Sequence, residues 1–109
     1  MFRSLVQFTI EKFGKVDYLV NNGGGQFPCG AADMSLKGWN AVIETNLTGT
    51  YLMCREVHSQ YMGDHGGVIV NIIADMFRGF PMMSHTGSTM CPMSAVMCVT
   101  MCRCSQSWC

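Results

Sequence analysis

Val68-Ile69-Val70-Asn71-Ile72-Ile73-Ala74 is a continuous apolar run, rich in β-branched residues and entered through Gly63, Gly66 and Gly67. Such a run reads as a strand covered on both faces, because a half-exposed strand alternates apolar with polar residues. Upstream lies a second β-rich run, Val16-Asp17-Tyr18-Leu19-Val20-Asn21-Asn22, which opens into Gly23, Gly24 and Gly25. It predicts a strand that leaves into a glycine turn. Between the two runs Trp39, Val42, Ile43, Asn46, Leu47, Tyr51, Leu52 and Val57 keep helical spacing, with Ser35 placed as N-cap and an end near Tyr61 and Met62. Phe2, Val6, Ile10 and Phe13 mark one face of an earlier helix that stops at Gly14.

The order helix, strand, long helix, strand predicts an α/β fold with a parallel, Rossmann-like sheet. A ligand on such a sheet lies beyond the carboxyl ends of the strands, here residues 21–25 and 73–78. No internal repeat is visible. After Pro81 the pattern stops being readable: Met90, Met93, Met97 and Met101 recur at three to four residue steps, but nothing bounds that stripe. Residues 1–87 are therefore expected to form part of a dinucleotide-binding domain, and residues 88–109 an irregular tail rich in Met and Cys.

The charges support this division. The 109 residues carry seven Lys plus Arg and seven Asp plus Glu, so the chain is formally neutral, which argues against nucleic acid or an anionic membrane as its main partner. Thirteen of the fourteen charges fall between Arg3 and Arg78, and only Arg103 follows. Seven Cys is an odd count, five of them fall after position 90, and residues 1–13 hold no clean apolar signal region, so a reducing compartment is expected. No run reaches the ~18 apolar residues that a membrane span needs.

Three groups of residues can carry chemistry. Asn21-Asn22-Gly23-Gly24-Gly25 lets a backbone approach a flat or phosphorylated ligand, since glycine lacks a Cβ and tolerates positive φ. Asn46 falls on or near the buried face of the long helix, where an amide must find partners: it bonds backbone or water for structure, or it anchors a water-mediated proton path. His85 is able to donate a proton, although a lone loop histidine is more often solvated or structurally bonded. Cys98, Cys102 and Cys104 with Met97 and Met101 are soft ligands without diagnostic spacing, so no metal site is expected.

Three segments in order, Asp17 to Gly24, Asn46-Leu47-Thr48-Gly49-Thr50 and Gly67 to Ile72, resemble the short-chain dehydrogenases/reductases. Within that family Leu19 to Phe27, Glu44 to Thr50 and Val70 to Ile73 with Gly79-Phe80-Pro81 are similar to the peroxisomal trans-2-enoyl-CoA reductases. The resemblance covers roughly residues 1 to 87. It implies a Rossmann sheet, NADPH as cofactor, and reduction of the 2,3 double bond of a fatty enoyl-CoA in fatty acid metabolism. It places Asn21, Asn22, Gly23 and Gly24 near the adenosine half of the cofactor, and Asn46 at a water in a proton relay.

Departures from the family pattern qualify that expectation. Its glycine-rich pyrophosphate loop has no counterpart in these residues, and its catalytic Tyr with a Lys four residues on is also missing, since the last Tyr is Tyr61 and the last Lys is Lys37. His85 stands about where many members carry the Tyr, but Thr89 stands where the Lys would be, and Ala74 where a Ser is usual. The chain is therefore expected to be an inactive fragment of such an enzyme. The alternative is a non-catalytic protein that pairs with full-length members through the helix 35–62, using Trp39, Tyr51 and Tyr61. Peroxisomes follow from the resemblance alone, because the C-terminus Ser107-Trp108-Cys109 is no peroxisomal signal, and otherwise the cytoplasm is expected.

Overall fold

A computed structural model of the chain describes residues 1–74 and 81–89. Helix α1 spans Phe2–Phe13 and ends where Gly14 takes φ 77°, its N–H donating to Ile10 O at 2.7 Å. Val6 is buried and Phe2 and Ile10 are half-buried, as their spacing requires. Phe13 departs from the expected stripe: the chain reverses beside it, and its ring lies in solvent under the Lys12 ammonium, 5.4 Å from the ring centre.

Strands β1 (Tyr18–Asn21) and β2 (Val68–Asn71) pair in parallel, with Tyr18 opposite Val68 and Asn21 opposite Asn71. Both are shorter than the apolar runs suggest. Asp17 O accepts from Val68 N–H at 3.0 Å and Asn21 O from Ile72 N–H at 2.9 Å, so the ladder is anchored one step beyond each end. The inner face of the sheet presents Leu19, Asn21, Ile69 and Asn71. Ile69 joins Val6, Cys54, Val57 and Met62 in the core, with Ile10, Val16, Leu19, Met53 and Tyr61 packed around it. The expectation of two covered faces is not met by the described residues. Tyr18, Val20, Val68 and Val70 point the other way, Val68 and Val70 each being 39% exposed, because both packing helices lie on one side.

The chain returns from β1 to β2 through one continuous helical segment, 36–65. The Ser35 hydroxyl caps it by accepting from Gly38 N–H at 3.1 Å, as the sequence predicts. Its parts are α2 (Leu36–Val42), a π-helical stretch Ile43–Thr48, α3 (Gly49–Val57), a second π-helical stretch His58–Met62, and α4 (Gly63–His65). Gly63, expected to end the helix, lies inside it. The stop comes at Gly66, which adopts φ 76° and donates its N–H to Met62 O at 2.9 Å. Val42, Asn46, Thr50, Cys54 and Val57 form the buried line, whereas Tyr51 is exposed.

Residues 84–89 are helical, where no regular element was readable. Ser84-His85-Thr86-Gly87-Ser88-Thr89 contains weak helix formers, so tertiary contacts rather than propensity hold this turn. Cys29 N–H donates to Met82 O at 2.9 Å, tying the turn to the loop after β1. The Met and Cys positions from 90 onward lie outside the described residues. No helix among the described residues is long and apolar enough to cross a membrane.

Candidate cofactor and substrate site

The two strands end alike, Tyr-Leu-Val-Asn and Val-Ile-Val-Asn, and the parallel register sets the two Asn opposite each other. Asn21 Nδ2 donates to Asn71 Oδ1 at 2.8 Å and lies 3.3 Å from Cys54 Sγ on α3. All three side chains are buried. This polar layer closes the core at the carboxyl end of the sheet and fixes the point from which the glycine turn departs. Burial pushes the Cys54 thiol above its ordinary range, partly offset by the Asn21 amide that donates to its sulfur. The thiol therefore stays protonated at neutral pH and serves as an acceptor rather than a nucleophile.

Asn46, in the first π-helical stretch, is 4% exposed and reaches across to the turn. Its Oδ1 accepts from Gly25 N–H at 2.8 Å and its Nδ2 donates to Gly25 O at 3.0 Å. The amide thus clamps both polar groups of one peptide residue and retains one N–H for another partner. Thr50 Oγ1 donates to Asn46 O at 2.8 Å, so the carbonyl is engaged as well. The structure gives a specific reason for one of the glycines. A Cβ at Gly24 would sit 3.1 Å from Asn46 Oδ1, tighter than ordinary contacts, so a bare backbone lets the clamp close. Gly23, Gly24 and Gly25 do not use the positive φ that glycine permits: among the described residues only Gly14, Gly66 and Met82 do.

Beside the turn runs a groove of about 490 Å³, lined by Asn21, Asn22, Gly23 and Gly24 and floored by Phe2, Thr45 and Met53. A Cβ at Gly23 would meet nothing within 4 Å, so a flat ligand can lie directly on this backbone. Asn21 borders the groove, but its Nδ2 is engaged by Asn71 and Cys54, whereas Asn22 is exposed. Among the described residues the only charged side chain in the lining is Glu44. These residues suit a neutral ring and ribose and offer no cation to a phosphate.

His85 belongs to the helical turn 84–89 rather than to a loop and is not solvated. It is fully buried, and among the described residues neither ring nitrogen has a hydrogen-bond partner. Its ring packs on Phe27 with centroids 4.7 Å apart, and Phe27 in turn abuts Gly38 of α2. Thr86 and Thr89 are buried next to it, with Thr89 Oγ1 donating to Thr86 O at 2.8 Å. The structure thus brings Asn21, Asn22, Gly23, Gly24 and Asn46 to one end of the sheet, while His85 is buried against Phe27 and does not line the groove among the described residues. Sequence reasoning missed Gly25, Asn71 and Cys54 as partners. The matching Asn at the two strand ends was the available signal for Asn71. Among the described residues no three His, Cys, Asp or Glu side chains group as metal ligands.

Residues 1–86 match the family model of the short chain dehydrogenases. Peroxisomal 2,4-dienoyl-CoA reductase [(3E)-enoyl-CoA-producing] of Danio rerio is 38% identical over 84 residues, which are 76% of this chain and 28% of that protein. The chain thus spans under a third of the length of this curated relative. Among solved structures, the citronellol catabolism dehydrogenase AtuB of Pseudomonas aeruginosa PAO1 superposes with a TM-score of 0.80 at 40% identity, covering 86% of this chain and 38% of that one. ElxO with NADP bound gives a TM-score of 0.80 at 29% identity, over 87% of this chain and 39% of that chain. The parallel strands, the glycine turn at their carboxyl end and these likenesses agree: the chain belongs to the short chain dehydrogenase family of oxidoreductases.

Proposed function

We propose that these residues form the central part of an NADPH-dependent reductase that acts on a fatty acyl-CoA with a double bond conjugated to the thioester carbonyl. The observation that carries this reading is the Asn46 clamp on Gly25, which joins the long helix to the turn where a cofactor and substrate would meet. Asn22, Gly23 and Gly24 would hold the adenosine half of NADPH, which would supply a hydride to the β-carbon of a 2-enoyl thioester while a proton reaches the α-carbon. Asn46 positions the turn, and its remaining N–H would orient a water of the proton path. The 2-enoyl thioester expected from the sequence and the 2,4-dienoyl thioester named for the relative are both conjugated acceptors, but they balance differently: hydride at C3 and a proton at C2 saturate the former, whereas a (3E)-enoyl product from the latter requires hydride at C5 and a proton at C2, the remaining double bond moving to C3.

His85 is fully buried against Phe27 and outside the groove lining, so it is not placed to donate a proton to that substrate. The 109 residues by themselves are therefore expected to bind without turnover. Titrating the chain with NADPH, hexenoyl-CoA and a dienoyl-CoA tests this: binding of NADPH and of a conjugated acyl-CoA, weakened in Asn46→Ala, supports the reading. Failure of both to bind refutes it, and NADPH consumption above a no-protein control refutes the inactivity. A peroxisomal setting follows from the relative's name alone.

One observation supports the alternative of a pairing protein. Tyr51 is 51% exposed on the outer side of the long helix, with the Arg55 guanidinium 6.0 Å from its ring centre, the composition of an interface anchor. Trp39 and Tyr61 are half-buried and contribute less. Co-purification with a full-length reductase that is lost in Tyr51→Asp would favour this reading.

A further inference from the structure

A second cavity, of about 450 Å³, opens at the start of α2 and is lined by Ala31, Met34, Leu36, Trp39 and Ser84. Among the described residues that line it, four of the five are apolar and none is charged. Leu36 is 73% exposed although it is the first residue of a helix whose Ser35 cap is fully made. A large side chain left in water beside an apolar cavity invites an apolar occupant.

Phe27 links the surroundings of this cavity to the glycine turn. Phe27 lies two residues after Gly25, so at most about 7 Å of backbone separates the clamp from that residue. The Phe27 ring abuts Gly38, the neighbour of Trp39, and packs on His85, the neighbour of Ser84. Both walls of the cavity are thus tied to the loop that Asn46 holds.

We propose that this cavity receives the unbranched hydrocarbon tail of an acyl thioester whose head lies at the glycine turn, with Met34, Leu36 and Trp39 setting chain-length preference. This deepens the function proposed above and rests on it for the thioester head. The described lining residues carry no charge and are mostly apolar, which suits a hydrocarbon chain better than the charged CoA portion. The unbranched Met34 side chain adapts to a chain that lacks fixed shape.

The test uses the full chain carrying Trp108→Phe, so that Trp39 is the only tryptophan and reports the cavity. Trp39 emission is titrated with CoA, with saturated acyl-CoAs of increasing length, and with free dodecanoate. Full burial of a methylene tightens binding about fourfold, so this open cavity should give roughly two- to fourfold per methylene until it is filled. In Met34→Glu the length dependence should vanish while short-chain acyl-CoA and NADPH binding persist. Affinity independent of chain length, or length dependence unchanged in Met34→Glu, overturns the proposal. Dodecanoate binding that Met34→Glu abolishes, without any acyl-CoA or NADPH binding, upholds the cavity and overturns the reductase reading instead.

Discussion

Replacing Asn46 by Asp keeps shape and volume but changes one atom that the clamp needs. Oδ1 still accepts from Gly25 N–H, but the group that donated to Gly25 O at 3.0 Å becomes a second oxygen facing a carbonyl. The site is 4% exposed, so an ionised carboxylate there loses a hydrogen bond worth about 1 kcal/mol and gains a desolvated charge without a cation. The folded protein relieves this by protonating the introduced carboxylate, whose O–H then restores the bond to Gly25 O. Protonation bounds the penalty: from an unfolded value of about 3.9, holding the proton near pH 7 costs about 4 kcal/mol. A loss of about 3 kcal/mol is expected at neutral pH. The folded pKa is raised above the unfolded one, so the stabilising protonated form is fully present below about pH 4 and is lost as pH rises through the folded value. Urea unfolding followed by circular dichroism on wild type and Asn46→Asp near pH 7 and near pH 4 measures the gap between them, which cancels the other carboxylates. The gap should shrink to about 1 kcal/mol in acid, and Asn46→Ala should cost about 2 kcal/mol with no comparable pH dependence. A gap that is equal at both pH values would refute the clamp.

Three further outcomes follow from the same geometry. His85→Phe removes two unpartnered buried nitrogens and should raise stability by about 1 kcal/mol in the same urea assay, whereas a loss would mean that the ring has a partner. Gly24→Ala places a Cβ about 3 Å from Asn46 Oδ1 and should cost about 1 kcal/mol in wild type but much less in an Asn46→Ala background, since the obstructing atom is gone; equal costs in both would exclude the contact. The Cys54 thiol, raised by burial, binds its proton more tightly folded than unfolded, so its contribution should fall as pH climbs past the ordinary thiol range; a Cys54→Ala variant with the same alkaline profile as wild type would count against it.

The architecture was legible because its signals were local. Ser35 as cap, Gly14 as stop and the apolar runs before Asn21 and Asn71 each depend on a few neighbouring residues, and the structure keeps them all. What escaped the sequence depends on partners far along the chain. Asn46 reads equally as a water anchor or a backbone tie until Gly25, 21 residues earlier, is seen against it. His85 looks like a solvated loop residue because nothing local shows Phe27, whose ring packs on it from 58 positions away in sequence. The helix over 84–89 escaped for the opposite reason, its local propensity being poor and its support tertiary.

The π-helical stretch explains why one helix can serve both ends of the site. Val42, Asn46, Thr50 and Cys54 recur every four residues and are all buried on the sheet side. In a regular α-helix each step of four turns the line by about 40°, so it would swing roughly a third of a turn between Val42 and Cys54. The i→i+5 turns over Ile43–Thr48 take up more residues per turn and hold the line against the sheet. Asn46 therefore meets Gly25 while Cys54, two steps further on, meets Asn21. The helix fixes the distance between the strand end and the glycine turn from a single face. A one-residue deletion at 47 or 48 would rotate Cys54 by about 100° relative to Asn46, so only one of the two contacts could be kept.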